Sequence, residues 1–197
     1  ELGEMKRAIW YATGWYRTQA YYDSGDWRAT WAGEGGGVLL NQCPHHLDLM
    51  QWLCGVPKRV HASAYYGKYH DIEVEDDVTA FFEYENGARG MLLSEYSIGA
   101  GTVGGYDCAM TFIGENGYMR IERPNRIVLH TKSHQVIDVK PITDAQAFER
   151  QANAFVDSII NKTPFAASVE SGVSKTVFVE AAHRSAKEEK KVYLKEI

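Results

Sequence analysis

Between Gly35 and Gly55 a glycine triplet runs into a short apolar segment that carries Asn41, His45, His46 and Asp48, and its histidines are the residues here best suited to moving a proton. Histidine is the side chain whose ordinary pKa lies nearest neutrality, so one well-placed imidazole can give or take a proton at physiological pH. Three glycines permit positive φ and close backbone approach, Pro44 suits the first turn of a helix, and Gly55 with Pro57 behind it reads as a stop. A helix is therefore expected from about Pro44 to Cys54. On it His45, Leu49 and Trp52 fall at i, i+4 and i+7, which predicts that the His45 imidazole lies on the inward stripe. His46 falls on a different face and reads as an ordinary histidine. Alone, His45 would be read as a satisfied core histidine; behind a glycine triplet and with Asp48 three residues on, it reads as a proton carrier. Zinc held by Cys43, His45, His46 and Asp48 is disfavoured, because adjacent histidines diverge on a helix and no second ligand pair is evident.

Gly35 to Gly37, Leu39, His45 and Asp48 resemble the Gly-Gly-Gly-x-Leu-x-Asp-x-x-x-His-x-x-Asp signature of the Gfo/Idh/MocA family, dehydrogenases typified by glucose-fructose oxidoreductase and inositol dehydrogenase. A second resemblance lies in Ala154 to Pro164, and together they span nearly the whole chain. Asn41 stands where the pattern usually has aspartate. The resemblance implies a substrate-binding and oligomerisation domain, in a longer protein whose preceding Rossmann domain carries the glycine-rich phosphate loop and a catalytic lysine. It implies NAD or NADP bound mainly by that missing domain, no metal, and a sugar, inositol or related polyol as substrate. The histidine matching His45 lies by the reacting carbon, assisted by the acid at the Asn41 position; asparagine can orient an imidazole or a hydroxyl but cannot take the proton. His45 and Asn41 are thus the expected catalytic pair.

Further candidates flank this stretch. The loop Tyr21 to Arg28 is dense in rings, and Arg17 and Arg28 could donate hydrogen bonds to a polyol or carboxylate, or tie down the loop. Gly99-Ala100-Gly101-Thr102-Val103-Gly104 matches the dinucleotide fingerprint, but β-forming residues rather than a helix follow it, so it reads as a loop between strands from which Tyr106 could reach a ligand. The acids from Glu73 to Asp77 fit no metal-binding loop and read as a solvated turn.

The elements that must position these groups are mostly strands. Alternation or apolar runs predict strands at Ala8 to Thr13, Lys58 to Lys68, Val78 to Tyr84, Arg89 to Ser97, Asp107 to Ile113, Tyr118 to Glu122, Arg126 to Thr131 and Val136 to Val139, with Val192 to Leu194 as an edge. Asn86-Gly87 predicts a two-residue hairpin with positive φ at both positions. Phe148, Ala152, Phe155, Val156, Ile159 and Ile160 form one helical stripe and Val169, Val173, Val177 and Ala181 another, both read as ordinary packing faces. The expected fold is α+β: a large, mostly antiparallel, open-faced β-sheet with helices packed on one face. The resemblance makes it like the C-terminal domain of glyceraldehyde-3-phosphate dehydrogenase.

At 197 residues and 45% hydrophobic side chains, residues 1–197 suit a single domain. A formal net charge of -5 without a long basic run disfavours nucleic acid as a partner. Three cysteines without C-x-x-C spacing suit buried thiols in a reducing compartment, and the absence of an 18-residue apolar run or a leader argues against a membrane location; the expectation is cytoplasmic. The chain opens on Glu1 and passes at once into a strand, which reads as the middle of a longer protein. Isolated, it is expected to be inactive and to pair, as homodimer or homotetramer, through the open sheet face. The alternative is a non-catalytic sugar-binding or dimerisation module that retains the fold.

Overall fold

A computed structural model describes residues 1–13, 16–95, 110–122, 126–165 and 167–197. Its centre is β1 (Met5–Ala12), where strict alternation buries Ala8, Trp10 and Ala12 on one face and turns Ile9 and Tyr11 to the other. A four-residue helix α1 (Gln19–Tyr22), a π-helical turn (Val38–Gln42) and α2 (Pro44–Cys54) follow. Then come β2 (Arg59–Tyr66), β3 (Glu75–Glu83), β4 (Arg89–Glu95), β5 (Met110–Gly114), β6 (Gly117–Glu122), β7 (Arg126–His130) and β8 (His134–Asp138). Helices α3 (Asp144–Asn161) and α4 (Val169–Glu188) and the short strand β9 (Val192–Tyr193) close the chain.

The nine strands form one sheet in the order β8-β7-β6-β5-β1-β4-β3-β2-β9. Only β1 with β4 is parallel, Arg7 to Ala12 lying in register with Arg89 to Ser94; every other pair is antiparallel. Helices α2 and α4 cover one face. Trp10, Leu39, Leu47, Met50, Phe82, Leu92 and Phe178 pack there almost without exposure, each contributing roughly 1.5–3 kcal/mol by burial. The opposite face is open: Phe81 is 54% exposed, and a shallow depression of about 460 Å³ runs across β1, β4, β3 and β2.

Four expectations need correction. The acids before β3 are not a solvated turn, because Glu75 and Asp76 are fully buried and belong to the strand. Helix α3 is not the packed helix expected: it makes an edge-to-face contact of Phe155 with Phe165 but has no buried residue, and Phe148 and Ile160 are each 70% exposed. The β3–β4 connection takes positive φ at Gly87 but not at Asn86, whose Oδ1 instead accepts the Ala88 N–H at 3.0 Å while its Nδ2 donates to Glu4 at 3.0 Å. The fourth is the phase of α2.

Candidate functional site

Helix α2 starts at Pro44, and its buried residues are His46, Leu47 and Met50, with the Cys43 cap also buried. His45 is exposed, and Leu49 and Trp52, expected beside it in the core, are 40% and 75% exposed. The helix has two apolar stripes. The one that faces the sheet is chosen by Trp10, whose indole N–H donates to His46 Nδ1 at 3.3 Å with the rings edge to face. His46 is therefore the satisfied core histidine, and His45 is the one presented outward.

What holds the π-turn just before this helix is a carboxylate. Glu75, at the head of β3, accepts the Gly37 N–H at 2.9 Å on one oxygen and the Leu39 N–H at 3.1 Å on the other. Gly37 has to be glycine, because a Cβ there would stand 2.0 Å from the Glu75 carbonyl oxygen. Gly35 adopts φ +74°, which also favours glycine. His183 of α4 brings Nε2 to 3.1 Å from Glu75 Oε1, without the geometry of a hydrogen bond. Burying a carboxylate costs several kcal/mol, offset here by charge-assisted bonds to backbone N–H groups. The result is a rigid base from which the π-turn carries Asn41 outward. Single π-turns of this kind recur at functional sites.

Asp76 does the same for a neighbouring loop, accepting the Lys68 and Tyr69 N–H groups at 2.9 and 2.7 Å. His70 of that loop donates from Nε2 to the Arg17 carbonyl at 2.8 Å, so the segment holding Arg17 is tied to the same strand. Asp48 is drawn into structure: it accepts from Ser171 Oγ at 2.9 Å and pairs with Lys175 at 3.3 Å, fastening α2 to α4.

Arg17 and Arg28 are brought together around Tyr21, their guanidinium carbons 4.9 and 4.4 Å from its ring. Arg28 also donates to Tyr21 Oη at 2.8 Å and to Ser24 Oγ at 3.1 Å, and stacks on Trp27, so its contacts tie down its own loop. Asn41 donates from Nδ2 to Glu34 Oε1 at 2.7 Å, and its Oδ1 accepts from Gln42 at 2.6 Å. Tyr106, Cys108 and the glycines from Gly99 to Gly104 lie outside the described residues. Among the described residues no group of three or more His, Cys, Asp or Glu is placed to hold a metal. Cys43 is buried, its Sγ 2.9 Å from Ser94 Oγ, while Cys54 is half-buried and desolvation pushes its thiol up to about 11.

Reading the chain as a sequence missed Glu34, Glu75 and Asp76. The available signal was the adjacency of three acids to Val78, at the head of a strand and without a basic residue beside them. A strand buries alternate residues, so one of those acids had to point inward and needed backbone donors.

A family model described as the GFO/IDH/MocA C-terminal domain matches residues 1–120. No curated protein matches. Among solved structures, the chain is similar to the WlbA dehydrogenase from Bordetella pertussis in complex with NADH and UDP-GlcNAcA, at 21% identity and a TM-score of 0.77, covering 98% of this chain and 55% of that one. Levoglucosan dehydrogenase in complex with NADH and levoglucosan gives 15% identity, a TM-score of 0.84, and 98% and 59% coverage. Aldose-aldose oxidoreductase from Caulobacter crescentus complexed with glycerol gives 20%, 0.80, and 98% and 56%. At these identities the likeness is one of fold, and the chain spans a little over half the length of each of these proteins.

Proposed function

Because the chain belongs to the GFO/IDH/MocA family through its C-terminal domain, we propose that residues 1–197 are the single substrate-binding and proton-transferring domain of a nicotinamide-dependent oxidoreductase acting on a sugar, inositol or related polyol. The observation that carries the reading is the contrast between His45 and His46. One is locked into the core by Trp10, and the other, on the adjacent residue of a helix that follows the π-turn held by Glu75, is presented to the outside. A histidine on so rigid a mount, and not consumed by packing, is poised to exchange a proton with a bound hydroxyl.

On this reading the dinucleotide phosphates are held elsewhere, and two helix ends among the described residues are in keeping with it. The N-termini of α3 and α4 are taken by their own caps, Thr143 accepting the Gln146 N–H and Ser168 the Ser171 N–H, and α2 grows out of the π-turn. NAD or NADP is accordingly assigned, in the main, to a part of the protein outside this chain. The chain's share of the chemistry is to hold a hydroxyl-bearing substrate against α2 and to take or give its proton at His45, with Asn41 orienting the substrate or the ring. Arg17 and Arg28 contribute, on this reading, a cationic rim around Tyr21, and Tyr106 a further contact.

Two uncovered apolar surfaces support a larger assembly. The open sheet face carries Phe81, Ile113 and the Arg59–Glu83 ion pair, and α3 carries Phe148, Phe155 and Ile160. Large exposed apolar side chains among polar ones are what an interaction face carries. We assign the sheet face to pairing of two or four copies, and the site of action to the cytoplasm; among the described residues no helix is long and apolar enough to cross a membrane. The same surfaces favour a second reading, a non-catalytic binding or assembly module. Two measurements separate them. The isolated chain, titrated calorimetrically with NADH, is expected to give no micromolar binding, whereas the full-length protein is expected to reduce NAD or NADP with at least one member of a panel of aldoses, inositols and acyclic polyols. A full-length protein that binds those sugars but reduces neither cofactor overturns the enzyme in favour of the module.

A further inference from the structure

Glu34 is a half-buried carboxylate whose two oxygens are both engaged. Oε1 accepts from the Asn41 side-chain amide and Oε2 from the Ala29 backbone N–H, each at 2.7 Å. Ala29 is buried and adopts φ +50°, a left-handed conformation uncommon for a residue with a Cβ. Its N–H is thereby aimed at Glu34, and its carbonyl accepts the Glu73 N–H at 3.2 Å. Backbone strain of this sort is held only where the surroundings fix it.

The contact also orients Asn41. A carboxylate only accepts, so the side-chain nitrogen of Asn41 must face Glu34 and its oxygen must face away, toward Gln42. Resting on the reading of this surface as the proton-transfer site, we propose that Glu34 is its carboxylate: a positioning residue that fixes the Asn41 amide and supplies, from the loop before the glycine triplet, the negative charge that an acid at position 41 would otherwise carry. Sequence spacing hides this, since Glu34 precedes the triplet and Asn41 follows it. The two meet because Gly35 to Gly37 turns the chain back over Glu75.

The proposal makes positions 34 and 41 a unit that holds one negative charge. The other charged groups around it are Glu73, which accepts the Trp31 N–H at 3.2 Å, Arg28, engaged with Tyr21, and Glu75 with His183 beneath the triplet. Their hydrogen bonds and ion pairs go to other partners than Glu34 and Asn41.

A charge swap tests it. In Asn41→Asp two carboxylates face each other and ionise in two steps, so carbon-detected NMR of the isolated chain is expected to show a carboxyl titrating at least about one pH unit above the ordinary carboxylate range. In Glu34→Gln/Asn41→Asp that step is expected to vanish. In the full-length protein, assayed by NAD reduction with the best substrate of the aldose and polyol panel, Glu34→Gln is expected to lower kcat/KM by at least about tenfold and to move its acid limb. The swapped double variant is expected to recover most of that loss, which a merely structural role for Glu34 would not allow. Ordinary titration in Asn41→Asp, or parental kinetics in Glu34→Gln, overturns the proposal. If no sugar of the panel supports NAD reduction, the oxidoreductase reading fails by itself, and the NMR titration still decides whether the two positions share one charge.

Discussion

Glu75 and Gly37 hold each other from two sides: the Glu75 carboxylate takes the Gly37 N–H at 2.9 Å, and the missing side chain of Gly37 leaves room for the Glu75 carbonyl, which a Cβ would approach to 2.0 Å. The glycine triplet is therefore a docking surface for a buried acid. Gly37→Ala is expected to destabilise the chain by at least about 2 kcal/mol, because the clash is with backbone that cannot turn away. Glu75→Gln is expected to cost about as much, since an amide turns an N–H₂ group toward donors that need an acceptor. Urea denaturation checks both. Parental midpoints for either would remove the clamp from the account.

The outer stripe of α3 should be energetically silent within the chain. Phe148 and Ile160 are mostly exposed and α3 has no buried residue, so Phe148→Ser/Ile160→Ser is expected to change stability by no more than about 0.5 kcal/mol per site. The same substitutions should improve solubility and reduce association of the isolated chain, read by light scattering on a sizing column. A large loss of stability would place the helix against the body of the domain.

Stability should fall on the alkaline side through Cys54. Burial raises its thiol to about 11 from an ordinary 9.0, with Tyr84 beside it also raised by burial. The unfolded chain therefore loses this proton first. The contribution is complete below pH about 9 and is lost as the pH rises toward about 11, with stability decreasing throughout that window. Cys54→Ala is expected to flatten the decline between those values. Before unfolding, the thiol should react slowly with a disulfide reagent at pH 8.

Much of the sheet was legible because strand alternation was clean. Ala8, Trp10 and Ala12 against Ile9 and Tyr11, and the edge strand at Val192, fall where their patterns place them. The phase of α2 was not legible, since Leu47 and Met50 make one stripe and Leu49 and Trp52 another. Periodicity cannot say which stripe meets the sheet; the Trp10 indole N–H, distant in sequence, decides it by needing His46. Glu75 and Asp76 were missed for a related reason. Acids in a row ordinarily mean water, and only the backbone donors of Gly37, Leu39, Lys68 and Tyr69, brought in from elsewhere in the chain, make burial tolerable. The stripe of α3 was read correctly as apolar, but periodicity does not say what covers it, and Phe148 and Ile160 stay 70% exposed.

The most direct test of the account compares the two adjacent histidines in the full-length protein. General acid-base catalysis is typically worth about 10² to 10⁴ in rate, so His45→Gln is expected to lower kcat/KM by at least about a hundredfold while the melting temperature stays at the parental value, the side chain being exposed. His46→Gln is expected to do the reverse: it breaks the buried bond to Trp10, lowers the melting temperature by several degrees and leaves the pH profile of kcat/KM in place. Near-parental kcat/KM in His45→Gln, measured where chemistry limits the rate, would contradict the assignment and send the proton by another route.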